Sequence, residues 1–401
     1  MPDFNPTNAK LTRQLTFEGS WPSAVAFVGN DKLAAANLDG QLLVWDLNAE
    51  PFELPADQKQ GSARQDRQPD IRPFRRLDGH THGITRLIAA GEASLVSAGL
   101  DHSIRLWDPA AAAQGEAEIV LDIELRRNLA RRDKDHEHEI LAAPGVKVQT
   151  QGPAHVMAAH GDWIFGLGLS ADGQRLVSGD DAGMVIAWDF TIRTPIRRWR
   201  GHRLCGIVSA AVSPDAKKCF VAEFRMRRGD FDRPPAQAKI YSLDDAKVLS
   251  DLIAIQFPDV KVRDNSYGYG VTWQPWVGNG FVASAFSPDG KLLALGQGGE
   301  IETGRVHLIE VESGKVSRTV GGHQNGVTDV KFSCDGKHLL STGRDTTVRI
   351  CRVEDGVEVA ALGTPRGGQF KDWLTAIDIS PDQTRIAATD IAGLVHVWEM
   401  R

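Results

Sequence analysis

The sequence has 401 residues, of which 42% are hydrophobic and 24% are charged, and its formal net charge is -6. These are the proportions of an ordinary soluble protein. No apolar run approaches the roughly 20 residues that a membrane-spanning helix needs, which excludes a helical membrane anchor. The first residues, MPDFNPTNAK, contain no apolar signal core. We therefore expect a cytoplasmic protein if this N-terminus is native, and not if an export signal has been removed.

A short turn between two apolar strands recurs seven times along the chain. It reads VGND at 28–31, AAGE at 89–92, SADG at 170–173, SPDA at 213–216, SPDG at 287–290, SCDG at 333–336 and SPDQ at 380–383. Asp-Gly between strands is strong hairpin chemistry, because Gly adopts a positive φ readily and Asp bonds back to the turn backbone. A hairpin repeated in this way predicts one structural unit that is stacked several times.

A second pattern follows most of these turns: a strand of alternating apolar and polar residues that ends in Trp or a substitute. The strand ends at Trp45, Trp107, Trp188 and Trp398, whereas Tyr241, Ile309 and Cys351 take that position in the other units. Gly-His typically precedes a unit and stands at 79–80, 201–202 and 322–323. Together these residues resemble the WD40 repeat family, whose units of roughly 40 to 45 residues each form a four-stranded blade.

The resemblance covers nearly the whole chain and implies an all-β, seven-bladed β-propeller as a single domain, 1–401. We expect the blades at roughly 19–77, 78–158, 159–200, 201–256, 281–321, 322–363 and 372–401 plus 10–18. The last blade needs the N-terminal strand because the sequence ends on its third strand, and this pairing closes the ring. Insertions are expected at 48–71, 109–153, 225–236 and 257–280.

The resemblance also implies a structural hydrogen-bonded set of His, Ser or Thr, Asp and Trp in some blades. Blade two matches in full, with His80, Ser97, Asp101 and Trp107. Blade six has Cys351 in place of Trp, and blade three has its Asp displaced by one position, at Asp181. Blades four, five and seven lack most of the set, so apolar packing between sheets should hold most of the ring together.

Two insertions of blade four are expected on the top face, where loops from outer to inner strand and from second to third strand gather. They contain the interface-prone residues Arg225, Arg227, Arg228, Tyr267, Tyr269, Trp273 and Trp276. Such residue types anchor interfaces, which predicts a partner-binding surface. The segment 193–233 has eleven Lys or Arg against four Asp or Glu, so we expect an acidic partner. The alternative is that the aromatic residues fold the loop onto itself.

The other two insertions belong to the first two blades. The polar segment 48–71 is expected as a loop on the bottom face. The segment 109–153 leaves two alternatives for the outer strand of blade two, at 119–123 or at 154–159. We prefer the second, because it leads directly into the next unit at His160.

Three tryptophans occupy one repeated position. Seven residues before each hairpin, at the entrance to the inner strand, the sequence has Trp21, Trp163 and Trp373, whereas the other four units have Gly. The resemblance places this position at the rim of the central channel, where family members often contact partners. The alternative is that each Trp fills the gap between two blades, since Trp is often largely buried.

The sequence has no motif for catalysis, a nucleotide or a metal. Asp135–Glu139 could ligate a metal, although such charged runs are more often solvated, and four cysteines without paired spacing should be reduced. We expect no cofactor and a monomeric, non-catalytic scaffold that binds a protein or peptide across its top face. The alternative is a propeller enzyme or a small-ligand or metal binder at the channel mouth. Nucleic acid is not the expected partner, because the chain as a whole is acidic.

Overall fold

A computed structural model describes residues 4–17, 21–51, 71–120, 127, 130–142, 145–201, 205–224, 237–252, 280–298, 304–364 and 373–400. Within these ranges the chain forms a ring of seven β-sheets, and each contains the four antiparallel strands of one propeller blade. This confirms the predicted all-β, seven-bladed propeller. The described helices are a 3-10 turn at Pro6–Asn8 and the helix α1 at Glu137–Ala142. None of the helices in these ranges is long and apolar enough to cross a membrane.

The strands are numbered in chain order, and most blades take four consecutive strands from the inner to the outer position. Blade one has β2 (Pro22–Val28), β3 (Lys32–Asn37), β4 (Leu42–Asp46) and β5 (Arg75–Leu77); blade two has β6 (Ile84–Ala90), β7 (Ser94–Gly99), β8 (Ser103–Trp107) and β11 (His155–Ala158). Blade three has β12 (Ile164–Leu169), β13 (Arg175–Asp180), β14 (Met184–Asp189) and β15 (Thr194–Arg200); blade four has β16 (Gly206–Val212), β17 (Lys218–Phe224), β18 (Gln237–Ser242) and β19 (Val248–Asp251).

The remaining blades follow the same order. Blade five has β20 (Gly280–Phe286), β21 (Leu292–Gly298), β22 (Gly304–Glu310) and β23 (Val316–His323); blade six has β24 (Val327–Phe332), β25 (His338–Gly343), β26 (Val348–Arg352) and β27 (Glu358–Leu362). Blade seven has β28 (Leu374–Ile379), β29 (Arg385–Asp390) and β30 (Leu394–Glu399), and its outer strand is the N-terminal β1 (Lys10–Thr16).

The repeated hairpin has the hydrogen bonds that its sequence predicts. In blade five the Ser287 hydroxyl donates to Asp289 Oδ1 at 2.6 Å, and the same carboxylate oxygen accepts from the Lys291 N–H at 3.0 Å. Gly290 has a φ of 71°. Ala216 and Gln383 occupy the Gly position of two other turns with φ values of 57° and 62°. The serine and aspartate contacts therefore hold the turn shape even where the residue is less suited to a positive φ.

Each inner strand contains a bulge near its start, after its first or second residue, and polar side chains at the bulge connect neighbouring blades. The register of the inner strand shifts at this point in all seven sheets. In blade two, the Thr85 hydroxyl at the bulge donates to the carbonyl of Ile164 in blade three. The Thr375 hydroxyl of blade seven donates in the same way to the Pro22 carbonyl of blade one, at 2.7 Å. These bonds run from blade to blade around the channel and so link the sheets directly.

Pairing of the two ends of the chain closes the ring. Strand β1 runs antiparallel to β30, with Leu15 opposite Val395 and Lys10 opposite Glu399. Leu15 is fully buried and lies with Phe17, Trp45 and Val397 in one apolar cluster. The predicted closure is thereby confirmed, and the N-terminal strand contributes core side chains to the seam between blades seven and one.

The segment between β8 and β11 extends blade one, which the sequence did not predict. It forms the hairpin of β9 (Gly115–Ile119) and β10 (Val146–Gln151), and β10 pairs in parallel with β5, which makes a sheet of six strands. Buried Arg75 donates to the side-chain oxygens of Gln149 and Gln151 at 3.2 and 3.0 Å. Strand β11 supplies the outer strand of blade two, so the preferred alternative for this insertion is confirmed.

Deleting residues 1–16 should lower the thermal midpoint of unfolding by more than 10 °C, because it exposes the edge of β30 and removes the buried Leu15. Removal of one buried Leu side chain alone costs about 2–5 kcal/mol. Replacement of the partly exposed Thr12 by Ala is the matched control and should leave the midpoint almost unchanged. Equal midpoints for the deletion and the full chain would contradict the closure.

Candidate functional site

The predicted polar set of blade two is present and forms one directed chain of hydrogen bonds. Its members are His80, Ser97, Asp101 and Trp107. Because the Asp101 carboxylate only accepts, His80 Nδ1 donates to it at 2.9 Å, and Nε2 accepts from the Ser97 hydroxyl at 2.7 Å. The Trp107 indole N–H donates to the same hydroxyl at 2.8 Å. The set connects the loop before β6 to β8, the third strand of the blade, and its role is structural.

Blade three contains the same chain but with a different carboxylate from the one predicted. His160 Nδ1 contacts Asp180 Oδ2 at 2.8 Å, and the Ser178 hydroxyl lies 2.6 Å from Nε2 of the same ring. The prediction of Asp181 is therefore wrong. Asp180 is the last residue of β13, which brings its carboxylate next to His160, whereas Asp181 lies in the following turn. The prediction was wrong because it followed the spacing of blade two. In that blade Asp101 lies in the turn after the second strand, whereas Asp180 lies in the second strand itself.

Blade seven has a substitute set that the sequence did not reveal. His396 Nε2 lies 2.6 Å from Asp390 Oδ2, and its Nδ1 lies 3.2 Å from the Gln14 side-chain nitrogen. His396 is in the third strand of the blade, whereas the histidines of blades two and three precede the inner strand. The contact includes Gln14 of β1, so it also fastens the N-terminal strand to the ring. No linear spacing pattern connects residues so far apart in the sequence.

Burial and hydrogen bonds shift the pKa values of these sets. Burial lowers the pKa of His80, and the hydrogen bond with Asp101 only partly opposes this shift. Burial alone would raise the pKa of Asp345 in blade six, but the contact with His323 and the hydrogen bond from Thr347 more than offset it and lower the pKa to about 2. His323 lies 2.9 Å from Asp345 and 2.8 Å from Ser341. Both shifts favour a folded state with neutral His80 and ionised Asp345.

The three predicted rim tryptophans occupy equivalent positions. The carbonyl oxygens of Trp21, Trp163 and Trp373 accept the N–H groups of Leu38, Asp181 and Ile391 at 3.3, 2.8 and 2.9 Å. Each donor lies in the turn between the second and third strands of the same blade. All three tryptophans therefore lie on the top face, at the entrance to an inner strand.

The three indoles differ in exposure, because each meets different residues. Trp373 is only 2% exposed, and the Arg344 guanidinium stacks on its ring at 3.7 Å. Trp163 is half-buried and meets the ring of Phe165 edge-on at 6.5 Å. Trp21 is 37% exposed. Packing between blades therefore accounts for Trp373, while Trp21 presents the most surface to a partner.

A small apolar cavity, here called the rim notch, lies at the seam of blades six, seven and one. It is lined by Trp21, Pro22, Leu38, Thr328, Trp373, Leu374, Thr375 and Ile391. Leu38 and Ile391 belong to top-face turns, and Trp373 is buried. The notch is therefore apolar and largely enclosed, and Trp21 is the exposed residue of its lining. The sequence predicted two of its tryptophans but not that they would line one cavity.

The predicted binding residues of blade four lie outside the described residues. They are Arg225, Arg227, Arg228, Tyr267, Tyr269, Trp273 and Trp276. The insertion at 48–71 is described only at 48–51 and 71. All four cysteines are described and none forms a disulfide, as expected. Of the Asp135–Glu139 run, the last three residues belong to helix α1, which has no buried residue.

Charged side chains cross the central channel, and sequence reasoning missed them. Arg86 extends from β6 to donate to the Val208 carbonyl of blade four at 3.0 Å. Lys331 of blade six pairs with Asp378 of blade seven at 2.6 Å, and Asp378 also accepts the Phe27 N–H of blade one at 2.8 Å. The sequence did contain a signal for these residues, because each of them is a charged residue in an otherwise mostly apolar inner strand. Their contacts join inner strands, which indicates that they stabilise the ring.

Comparison with known proteins agrees with this geometry. The family described as WD domain, G-beta repeat matches residues 71–108, 151–189 and 314–351. The chain belongs to the WD40-repeat family. The matched segments include the hydrogen-bonded sets of blades two, three and six. Membership in this family supports a general role as a protein-interaction scaffold.

Three curated WD40 relatives illustrate the range of similarity. Over 238 residues the chain is 27% identical to Autophagy-related protein 16 of Arabidopsis thaliana, covering 56% of this chain and 45% of that protein. It is 30% identical over 114 residues to Target of rapamycin complex subunit wat1 of Schizosaccharomyces pombe, covering 28% of this chain and 33% of the relative. It is 29% identical over 116 residues to human WD repeat and SOCS box-containing protein 1, covering 29% and 26%. The matches span less than half of each relative.

Replacing Asp345 by Asn should lower the free energy of unfolding at neutral pH by about 1–3 kcal/mol, because His323 and Thr347 lose a buried charged partner. The folded-state pKa of Asp345 lies below its ordinary value, so its contribution is complete above about pH 4 and is lost as the pH falls towards 2. Urea unfolding between about pH 7 and pH 3 should show a smaller difference from wild type at the acid end. Glu92→Gln changes an exposed residue and is the control, so it should alter neither the free energy of unfolding nor its dependence on pH.

Replacing Trp373 by Ala should lower the free energy of unfolding by about 3–5 kcal/mol, because it leaves a cavity at a blade seam beneath Arg344. Replacing Trp21 by Ala should cost clearly less, since that residue is already 37% exposed to solvent. Urea unfolding at neutral pH measures both values. Equal costs at the two positions would contradict the difference in burial.

Proposed function

We propose that this propeller is a non-catalytic scaffold that binds another protein or a peptide at the rim notch of its top face, with Trp21 as the anchor. The observation that carries the proposal is the exposure of Trp21, a large aromatic residue that is 37% exposed on the top face beside the rim notch. Trp is among the residues that contribute most to binding when a partner covers them.

The surroundings of Trp21 suit a binding site. Trp373 and Arg344 stack beneath the notch, and the backbone of Trp21 is bonded to Leu38. A side chain that starts from a rigid backbone loses little conformational entropy when a partner covers it. A partner residue of moderate size, such as Leu or Pro, would cover Trp21 and the apolar residues at the edge of the notch.

The relatives support a partner of the same class. The relative in Schizosaccharomyces pombe is, by its name, a subunit of a complex. We infer that this chain likewise takes part in an assembly with other proteins.

The blade-four insertions form the finer part of the proposal. Arg225, Arg227 and Arg228 would meet an acidic part of the partner, and the aromatic residues of 257–280 would enlarge the interface. The basic excess of 193–233 supports this placement. Both insertions leave from top-face connections, between β17 and β18 and between β19 and β20, so a partner at the notch could extend to them.

Trp21→Ala should weaken binding of the physiological partner by at least about tenfold, which corresponds to the roughly 1.4 kcal/mol or more expected for a Trp anchor. Partners are first identified by affinity capture from the source cells with wild-type protein, and their affinities are then measured with purified components by calorimetry. Val357→Ala, which alters an exposed residue in a bottom-face turn, is the matched control. Unchanged affinity for every captured partner with Trp21→Ala would contradict the proposal.

A further inference from the structure

The outer strand of blade three differs from the other outer strands in charge and exposure. Every residue of β15 except Trp199 is exposed, and Trp199 is half-buried. The strand and the turn before it contain Arg193, Arg197, Arg198 and Arg200 and no acidic residue. β15 itself contains three of these arginines, whereas each of the other outer strands contains at most two Lys or Arg. A positive stripe therefore runs along one edge of the ring.

The charges of this stripe are not neutralised within the described part of the chain. Arg197 donates to the carbonyl of Asp244 at 2.6 Å and Arg200 to that of Ala182 at 3.2 Å, and both of these partners are uncharged backbone groups. The nearest carboxylate in the ladder, that of Asp189, is already paired with Arg175 at 3.4 Å. Four positive charges on one edge therefore attract negative charge from outside the chain.

The alternation of side chains defines two faces of β15. Arg197 and Trp199 face blade four, where the Trp199 ring meets the ring of Tyr241 at 5.6 Å. Arg198 and Arg200 are two residues apart and therefore share the opposite face. Two carboxylates at the same spacing on an adjacent strand would lie directly opposite them.

The strand is also able to pair further. It is the last strand of its sheet, so alternate backbone N–H and C=O groups point away from β14. Pro195 lacks an N–H and limits pairing to the residues that follow it. Those residues include Ile196, which is 45% exposed and gives an apolar contact between the charges.

We propose that an extended acidic segment of a partner protein binds along residues 196–200 and adds to blade three as a fifth strand. Its carboxylates, two residues apart, pair with Arg198 and Arg200, and its backbone bonds to the free edge of β15. A peptide fits better than a nucleic acid, because the strand edge offers backbone hydrogen bonds and Ile196 lies among the charges. This surface is separate from the rim notch, and a partner could use both.

The test uses the full chain and a fluorescein-labelled peptide of about eight residues in which Glu and Val alternate, with binding followed by fluorescence anisotropy. Arg198→Glu combined with Arg200→Glu should weaken binding by about tenfold or more. Arg305→Glu combined with Lys315→Glu changes the net charge equally on exposed positions of blade five and should leave the affinity within about twofold of wild type. Trp21→Ala should also leave it unchanged.

Two altered peptides separate charge from strand pairing. Replacing Glu by Gln should abolish the salt dependence and most of the affinity, and N-methylation of alternate amides should weaken binding while leaving the charge intact. Equal effects of the two double variants, or equal affinity of the N-methylated peptide, would overturn the proposal. Binding of oligothymidylate at the same arginines without binding of the peptide would overturn it as well.

Discussion

Each blade of this protein is a small sheet with two apolar faces, and it is stable only because a neighbour covers each face. Closure of the ring is therefore the constraint on which the other features depend. Pairing of β1 with β30 supplies it, and the buried Leu15 and Phe17 join the apolar cluster around Trp45 at that seam. An open ring would leave two sheet faces, one on each terminal blade, and one strand edge in water, all of which disfavour the folded state.

Polar contacts fix the arrangement of the blades in this ring. Hydroxyl groups at the inner-strand bulges and the carboxylate of Asp378 reach the backbone of the next blade. The His, Ser and Asp sets of blades two, three and six tie each entrance loop to its own sheet. In blade seven, where the ring closes, His396 contacts Asp390 and also Gln14 of the N-terminal strand. This contact has the same structural role as the sets of the other blades. Satisfied buried networks of this kind specify one arrangement of sheets.

The two proposed surfaces follow from departures from the repeat. A Trp replaces Gly at three entrance positions, and two of these tryptophans line the same cavity at the seam of blades six, seven and one. The outer strand β15 contains three arginines, more than any other outer strand of the described residues. One surface is apolar and lies on the top face, whereas the other is basic and lies on the outer edge. A scaffold with both could hold two parts of one partner or two partners at once.

The sequence alone determined the number of blades, the hairpin turns, the closing strand and the full polar set of blade two, because these depend on residues close together or on a repeated spacing. The tertiary structure decided that Asp180 rather than Asp181 contacts His160, and that the β9–β10 hairpin extends blade one. It also showed that Trp373 is buried and Trp21 is exposed, although both occupy the same position of the repeat. A repeat encodes equivalent backbone positions, but burial depends on the neighbouring blade, and that neighbour is distant in sequence.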